Sequence, residues 1–333
     1  MAKFVENAVW SGISEAYKNP ESTYIADEVL PPVPVAAELF SADYYPIENL
    51  LVAPDNRVGR LDRPVMLDFQ AAQREFRTED YAYDAPLPNW DVQRAEQQRT
   101  GQNSGFNPED YVVQGVTEIH TLRREIRVAN LVFNPNTYLP TQRQVVAGPS
   151  QWSNPSSRPI DQIMSAINAM LIRPNRMVLS RETWTGLSRH PQVVEAVKGT
   201  AAKEGLASLQ QVQELLEIQK IVVGDSWKSI SERVDLERPS ANINRLWGAH
   251  AALIHVNPNV RTTTGSNLYT FGMTARYGLK KSGSIEDPDM GARGGRKVRV
   301  LEHCRELVTA SFCGYFFENC VAPAATLNLS NVM

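Results

Sequence analysis

Five histidines, three cysteines and one glycine-rich basic stretch are the parts of this 333-residue chain whose types could support catalysis or metal binding. His120, His190, His250, His255 and His303 are scattered. His250 and His255 have opposite parity in an apparent strand, so they would face opposite sides of a sheet and could not chelate together. His303 adjoins Cys304, but no second ligand pair at metal spacing follows. Cys304, Cys313 and Cys320 all lie in the last 30 or so residues. Three thiols without metal-type spacing suit a reducing compartment and read as buried members of a C-terminal sheet. The stretch Gly291-Ala292-Arg293-Gly294-Gly295-Arg296 precedes a strand and lacks the lysine and hydroxyl of a phosphate loop, so it reads as a loop. Neither a nucleophile elbow nor an H-E-x-x-H helix occurs. We therefore assign no catalytic, cofactor-binding or metal-binding residue, although a fold can assemble a triad from distant positions.

The charge balance narrows the classes further. A formal net charge of −3 is not that of a protein whose main task is to hold nucleic acid, which needs a basic excess to displace counterions. Arg276, Lys280, Lys281, Arg293, Arg296, Lys297, Arg299 and Arg305 are nonetheless dense. They allow two readings: a phosphate-binding face, or interface partners for acidic segments. No apolar run is long enough to span a bilayer and the first 30 residues lack a signal-peptide core, so a soluble, non-secreted product without a membrane partner is expected.

The elements that must position these residues fall into an ordered series. Residues 1–55 contain Pro20, Pro31, Pro32, Pro34, Pro46 and Pro54 together with Phe4, Trp10, Tyr17, Tyr24, Phe40, Tyr44 and Tyr45. Such a segment cannot fold alone, yet it carries too many aromatics for a solvated tail. It must wrap either its own domain or a neighbouring subunit. In residues 56–104, Val65, Leu67 and Phe69 alternate with polar neighbours, and Gln73–Tyr83 is the expected returning strand. The charges here are dense and mixed, and no lysine occurs between Lys18 and Lys198. Arg forms forked, weakly hydrated pairs suited to interfaces, although a merely solvated charged hairpin is the simpler reading. Asn107-Pro108-Glu109 opens the longest helical pattern, running to about Phe133 with Val112, Val116, Ile119, Ile126 and Phe133 as its apolar stripe, widened by Leu122, Ala129 and Val132. About 25 residues make a spine about 37 Å long.

Beyond the spine, Ile160, Ile163, Met164, Ile167 and Leu171 recur at helical spacing behind Pro159. Met177–Leu179 reads as a buried strand, and Ser180 as the N-cap of a helix carrying Trp184 and Leu187. A helix at Leu206–Leu216 and strands at Ile221–Val223 and Leu246–Val256 continue an α/β alternation. Strands resume at Tyr269. Ser282–Gly295 reads as a loop, with Lys297–His303 and Glu306–Asn319 as a long antiparallel pair.

The order Trp152-Ser153-Asn154-Pro155, helix, Pro174-Asn175-Arg176-Met177-Val178-Leu179, then Trp184 and His190-Pro191, resembles the major capsid proteins of tailed bacteriophages, the Hong Kong 97 type fold. The spine exit Asn130–Tyr138 (NLVFNPNTY) is similar too. The resemblance implies an α+β chain with an N-terminal arm (1–55), an extended E-loop hairpin (56–104), a peripheral domain with a long spine helix (105–159), an axial α/β domain (160–262), return strands of the peripheral domain (263–325) and a C-terminal tail (326–333). It implies a protein that is not an enzyme and that assembles with itself, as hexamers and pentamers, into an icosahedral shell around phage double-stranded DNA held without sequence specificity. Arg60, Arg63, Phe69, Phe76, Arg77, Tyr81 and Trp90 are the expected inter-subunit contacts. Some members weld hairpin lysines to asparagines of neighbours. With no lysine in this hairpin, its contacts must be non-covalent or supported by a cement or decoration protein. A chain that opens directly on the arm, without a charged helical leader, leads to the expectation of a separate scaffolding protein beside a portal. The place of action would be the virion capsid, with assembly in the host cytoplasm. An α/β enzyme with a dimerising arm, or the shell of a bacterial nanocompartment, are the alternatives.

Overall fold

Asn107, Pro108 and the acidic pair that follows start a helix as their chemistry requires. The Asn107 side chain accepts from the Glu109 N–H at 3.1 Å, proline occupies the first turn, and the spine runs over Pro108–Val132. The computed structural model describes residues 3–18, 24–44, 55, 57–58, 63–64, 66, 72–99, 107–199, 205–229, 242–257, 269–322 and 327–328. Among these, two larger sheets pack against the same spine helix.

The peripheral sheet is built on one 14-residue strand, Gly295–Val308. The return strand Glu79–Pro88 pairs antiparallel along one side, from Gly295↔Pro88 to Cys304↔Glu79. On the other side Lys281–Asp287 pairs with the first half and Gly272–Arg276 with the second. The arm covers the outer edge in two places. Val5–Glu6 adds antiparallel to Lys281–Asp287, and Pro32–Pro34 adds parallel to Gly272–Arg276. Val35 N–H donates to Arg276 O at 2.9 Å, so the alternate positions Pro32 and Pro34 face outward, where no N–H is needed. Pro86 and Pro88 obey the same rule. Asn89 N–H donates to Gly294 O at 3.1 Å, which sets the odd-numbered residues toward the long strand and the even-numbered ones outward. Between the two arm strands, helix Ala8–Ala16 is capped by Asn7 and inserts Trp10 beside Leu87, Val113 and Val298. The arm thus wraps its own chain wherever it is described.

The axial sheet runs, in spatial order, Arg143–Val145, Gly314–Glu318, Ala251–Ile254, Arg176–Ser180 and Lys220–Gly224. Its alternation sorts two cores. Met177, Leu179, Ile221, Ala251, Leu253, Tyr315 and Phe317 face helices Pro159–Ala169, Arg181–Arg189, Pro191–Lys198 and Leu209–Leu216. Val178, Val222, Ala252, Ile254 and Phe316 face the C-terminal half of the spine, with Val128, Ala129 and Val132, and the arm residues Ile25, Val29 and Leu30.

Several expectations change. The apolar stripe of the spine holds only in part: Val116, Ala129 and Val132 are buried, but Ile119 is 56% exposed, and the buried face also takes in Val113, Thr117, His120, Arg124, Glu125 and Val128. Polar residues hold the middle of that face because they meet partners there. Gln73–Tyr83 is not one strand. Ala72–Arg77 pairs with the arm strand Leu39–Tyr44, and the chain crosses at Thr78 into the return strand. The expected partner strand at Val65, Leu67 and Phe69 lies outside the described residues. Leu246–Val256 is strand only over Ala251–Ile254, flanked by His250 and His255, because Gly248 at φ +59 turns the chain after the buried Trp247; a separate strand, Asn242–Arg245, precedes it. Ser282–Gly295 is a loop only over its second half, residues 288–294, since Lys281–Asp287 forms a hairpin with Gly295–Leu301. Gly283 serves close approach there: a Cβ would lie 2.2 Å from Val5 O of the arm. The expected C-terminal antiparallel pair is instead split between sheets, Gly295–Val308 in the peripheral one and Gly314–Glu318 in the axial one, with a turn at Ser311–Cys313 between them. A helix at Asn89–Arg99 had no counterpart in the sequence reading.

Phe316 is fully buried and stacks on Tyr138 at 5.3 Å. Phe316→Ala should lower unfolding stability by about 3–5 kcal/mol, measured by denaturant titration of the soluble subunit.

Candidate assembly surface

The ribbon formed by Leu39–Tyr44 and Ala72–Arg77 is a two-stranded element set apart from the larger sheets. Its register places Phe40 opposite Phe76, and the rings stack at 5.9 Å. Together with Val33, Val35, Met273, Ala275 and Leu307 they make a small separate core. Arg74, Glu75 and Arg77 on the outgoing strand are exposed. A ribbon of this size is marginal by itself in water.

The expected contact residues divide by location. Phe76 and Arg77 lie side by side on the ribbon, one half-buried and one exposed. Tyr81 is on the return strand, where its ring receives the Arg127 guanidinium at 3.7 Å and its hydroxyl donates to Glu79 at 2.8 Å. Trp90 opens the next helix; it is 52% exposed and carries Arg293 at 4.2 Å. Arg63 is exposed, and Arg60 and Phe69 lie outside the described residues.

The dense basic residues do not form a free phosphate-binding face. Arg299 makes a forked pair with Asp84 at 2.7 Å, Lys297 meets Asp287 at 2.7 Å, Lys281 meets Glu6 at 3.5 Å, Arg305 meets Glu79 and Arg296 meets Glu109. His303 contacts Asp80 across the same strand pair. Arg299 and His303 stand directly opposite their partners on the neighbouring strand, Arg305 is one residue off, and Lys297 and Lys281 are two off. These groups form a cross-strand ladder within one chain, and Arg296 reaches the spine helix instead. Exposed pairs of this kind add little stability singly. They leave the sheet face nearly neutral.

Beneath the sheet lies a second charged group that the sequence reading missed. Glu302 is 1% exposed and is reached by Arg276 Nε at 3.0 Å and His120 Nδ1 at 3.7 Å. Burial pushes its carboxyl up, but Arg124, Lys280 and Arg276 outweigh that and hold it below the usual range. Burial drives the His120 pKa down, so its contact with Glu302 is that of a neutral ring and not an ion pair. Nearby, Arg127 forms a forked pair with Glu306. A sign of this cluster was present in the sequence: Val113, Thr117, His120, Arg124, Val128 and Val132 recur at helical spacing with a polar centre.

A cavity of about 790 Å³ beside the axial helices is lined by Trp152, Thr185, Arg189, His190 and Leu206, among others. His190 is fully engaged in local structure. Its Nδ1 accepts from Gln192 N–H at 3.2 Å, so the proton sits on Nε2, which faces Asn154 O at 2.9 Å and Ser157 Oγ at 3.0 Å. Among the described residues no group of three His, Cys, Asp or Glu side chains could hold a metal ion, and no helix is long and apolar enough to cross a membrane. Cys304, Cys313 and Cys320 are free and buried.

A spine helix shared by a peripheral sheet and an axial sheet, with an N-terminal arm and a two-stranded ribbon, defines the capsid fold of the Hong Kong 97 type. Solved structures carry the same fold. A phage-related protein of Bordetella bronchiseptica RB50 superposes with a TM-score of 0.71 at 22% identity, covering 97% of this chain and 100% of that one. The capsid of a native GTA particle gives 0.54 at 11% identity, covering 90% and 91%. No family model matches the chain. The sequence is 40% identical over 314 residues to the major capsid protein of Pseudomonas phage JBD67, covering 94% of this chain and 96% of that one. The chain belongs to the major capsid protein family of bacteriophages.

Removing the central carboxylate of the buried cluster leaves Arg276 with Glu15 and Arg124 with Asp27 as their remaining carboxylate partners, and takes from the buried centre its own compensating charge. Glu302→Gln should cost about 3–5 kcal/mol near neutral pH. A depressed carboxyl contributes stability above its unfolded value near 4.5, and that stability is lost as pH falls through the lower folded value. Acid unfolding followed by circular dichroism should therefore be less steep in the variant than in the parent.

Proposed function

We propose that copies of this chain close into hexamers and pentamers of an icosahedral shell that encloses phage double-stranded DNA, with assembly in the host cytoplasm and the virion capsid as the final location. The observation that carries this reading is the 40% identity to a phage major capsid protein along nearly the whole chain. The relatives are structural proteins, and the chain acts through association and not through catalysis. Residues 1–55 act as the arm, 56–104 as the E-loop hairpin, 105–159 and 263–325 as the peripheral domain, 160–262 as the axial domain and 326–333 as a tail.

The marginal ribbon gives the physical motive. Arg77 and the exposed charges around it stand on a two-stranded element that gains stability when a neighbouring subunit covers it. Arg60, Arg63, Phe69, Phe76, Arg77, Tyr81 and Trp90 are the side chains we assign to that contact. Because the hairpin has no lysine, shell stability comes from non-covalent contacts or from a cement or decoration protein. A scaffolding protein and a portal complete the set of partners, and DNA is held without sequence specificity. Heterologous contacts repeated around each subunit close the shell.

Light scattering and electron microscopy test the assembly. The purified protein, alone or co-expressed with its neighbouring genes, should give closed shells or capsomer rings of megadalton mass. A stable species of one or two 37.2 kDa chains under every condition would overturn the reading. Arg77→Glu should block shell formation and leave a soluble, folded subunit. Normal shells from that variant would remove Arg77 from the contact.

A further inference from the structure

Glu125 sits in the middle of the spine helix with no solvent exposure, and three segments far apart in sequence meet on it. One carboxyl oxygen accepts from the Ile25 N–H at 3.0 Å and from the Trp247 indole N–H at 2.7 Å. The other accepts from the Ala26 N–H at 2.7 Å and shares that of Ile25 at 3.1 Å. One carboxyl group therefore joins the N-terminal arm, the spine and the loop that leads into the axial sheet. Its hydrogen-bonding partners are all neutral donors. Arg124, the residue before it, turns to Asp27 at 2.7 Å, and Glu28 on the same short arm helix pairs with Lys220 at 2.9 Å. Ile25, Ala26, Val29 and Leu30 close over the site against Val128, Ala129 and Trp247.

We propose that Glu125 is a proton-linked clasp: the arm segment from Tyr24 to Leu30 docks over this carboxyl, and docking is coupled to uptake of a proton there. The three donors favour the ionised form, whereas burial and the facing charge of Asp27 favour the neutral one. Burial is the largest influence and pushes the group up to about 7. With the arm lifted, water reaches the carboxyl and its pKa returns toward the ordinary value of 4.5. The docked state then binds more protons between those two values. Docking is therefore strongest in acid, weakens as pH rises toward about 7, and levels off above it. At tenfold per unit of difference, the full span is on the order of a few hundredfold in the docking equilibrium. The clasp belongs to the subunit itself and does not depend on the assembly reading.

Hydrogen exchange with mass spectrometry on the full-length protein tests this, after correction for the intrinsic pH dependence of exchange. A peptide spanning Tyr24–Leu30 should lose protection ten- to a hundredfold between pH 5.5 and 8.5, with the loss levelling off near 7, while a peptide from Pro159–Ala169 stays level. Glu125→Gln, which cannot ionise, should abolish the dependence. Trp247→Phe removes a donor that favours the carboxylate and should move the levelling-off point upward. A flat profile in the parent, an unchanged profile in Glu125→Gln, or an unmoved levelling-off point in Trp247→Phe would each overturn the proposal. The last of these decides the matter if Glu125→Gln fails to fold.

Discussion

One helix serves two sheets, and much of the molecule follows from that constraint. Along Pro108–Val132, the N-terminal half buries Val113, Val116 and Thr117 against the peripheral sheet and arm helix, and the C-terminal half buries Val128, Ala129 and Val132 against the axial sheet. Where the two packing faces change over, His120, Arg124 and Glu125 cannot reach water. An unpaired buried ion costs several kcal/mol, so each must find partners. Glu302 from the long strand supplies them on one side, and the arm supplies Asp27 and two backbone N–H groups on the other. The arm is therefore part of the electrostatic closure of the subunit as well as an extension of it.

The same arm manages the sheet edge. A strand edge with free N–H and C=O groups invites any passing chain to pair with it. Here Val5–Glu6 and Pro32–Pro34 occupy the edge, and the prolines present no donor outward. On the opposite edge Pro86 and Pro88 do the same for the far end of the return strand. For a protein whose family builds ordered shells, such blunting favours specific side-chain contacts over indiscriminate strand addition.

The basic residues of the C-terminal third illustrate how density can mislead. Arg299, Lys297, Arg305, Lys281 and Arg296 are each matched by a carboxylate of the same chain, several of them on the neighbouring strand. The partners Asp84 and Glu79 lie more than 200 residues earlier, so no local window of sequence contains both members. The ladder agrees with the small net charge of −3, which leaves no large basic excess to be spent on DNA.

Elements governed by neighbouring residues were legible from the chain itself. Pro108 and Pro159 start helices, Ser180 caps the helix after the Met177–Leu179 run, and the segment from Trp152 to His190-Pro191 carried the family resemblance. Caps, proline and helical spacing act over a few residues, so the sequence alone determines them. Tertiary structure decided which face of the spine is buried, because Arg124 and Glu125 are tolerable inside only where Asp27, Ile25, Ala26 and Trp247 meet them. It also decided that Gly295–Val308 continues as one strand while Gly314–Glu318 crosses to the other sheet, and that Gly283 lies in a strand. A strand is stabilised by whatever pairs beside it, and here those partners come from the arm and the return strand, far away in sequence.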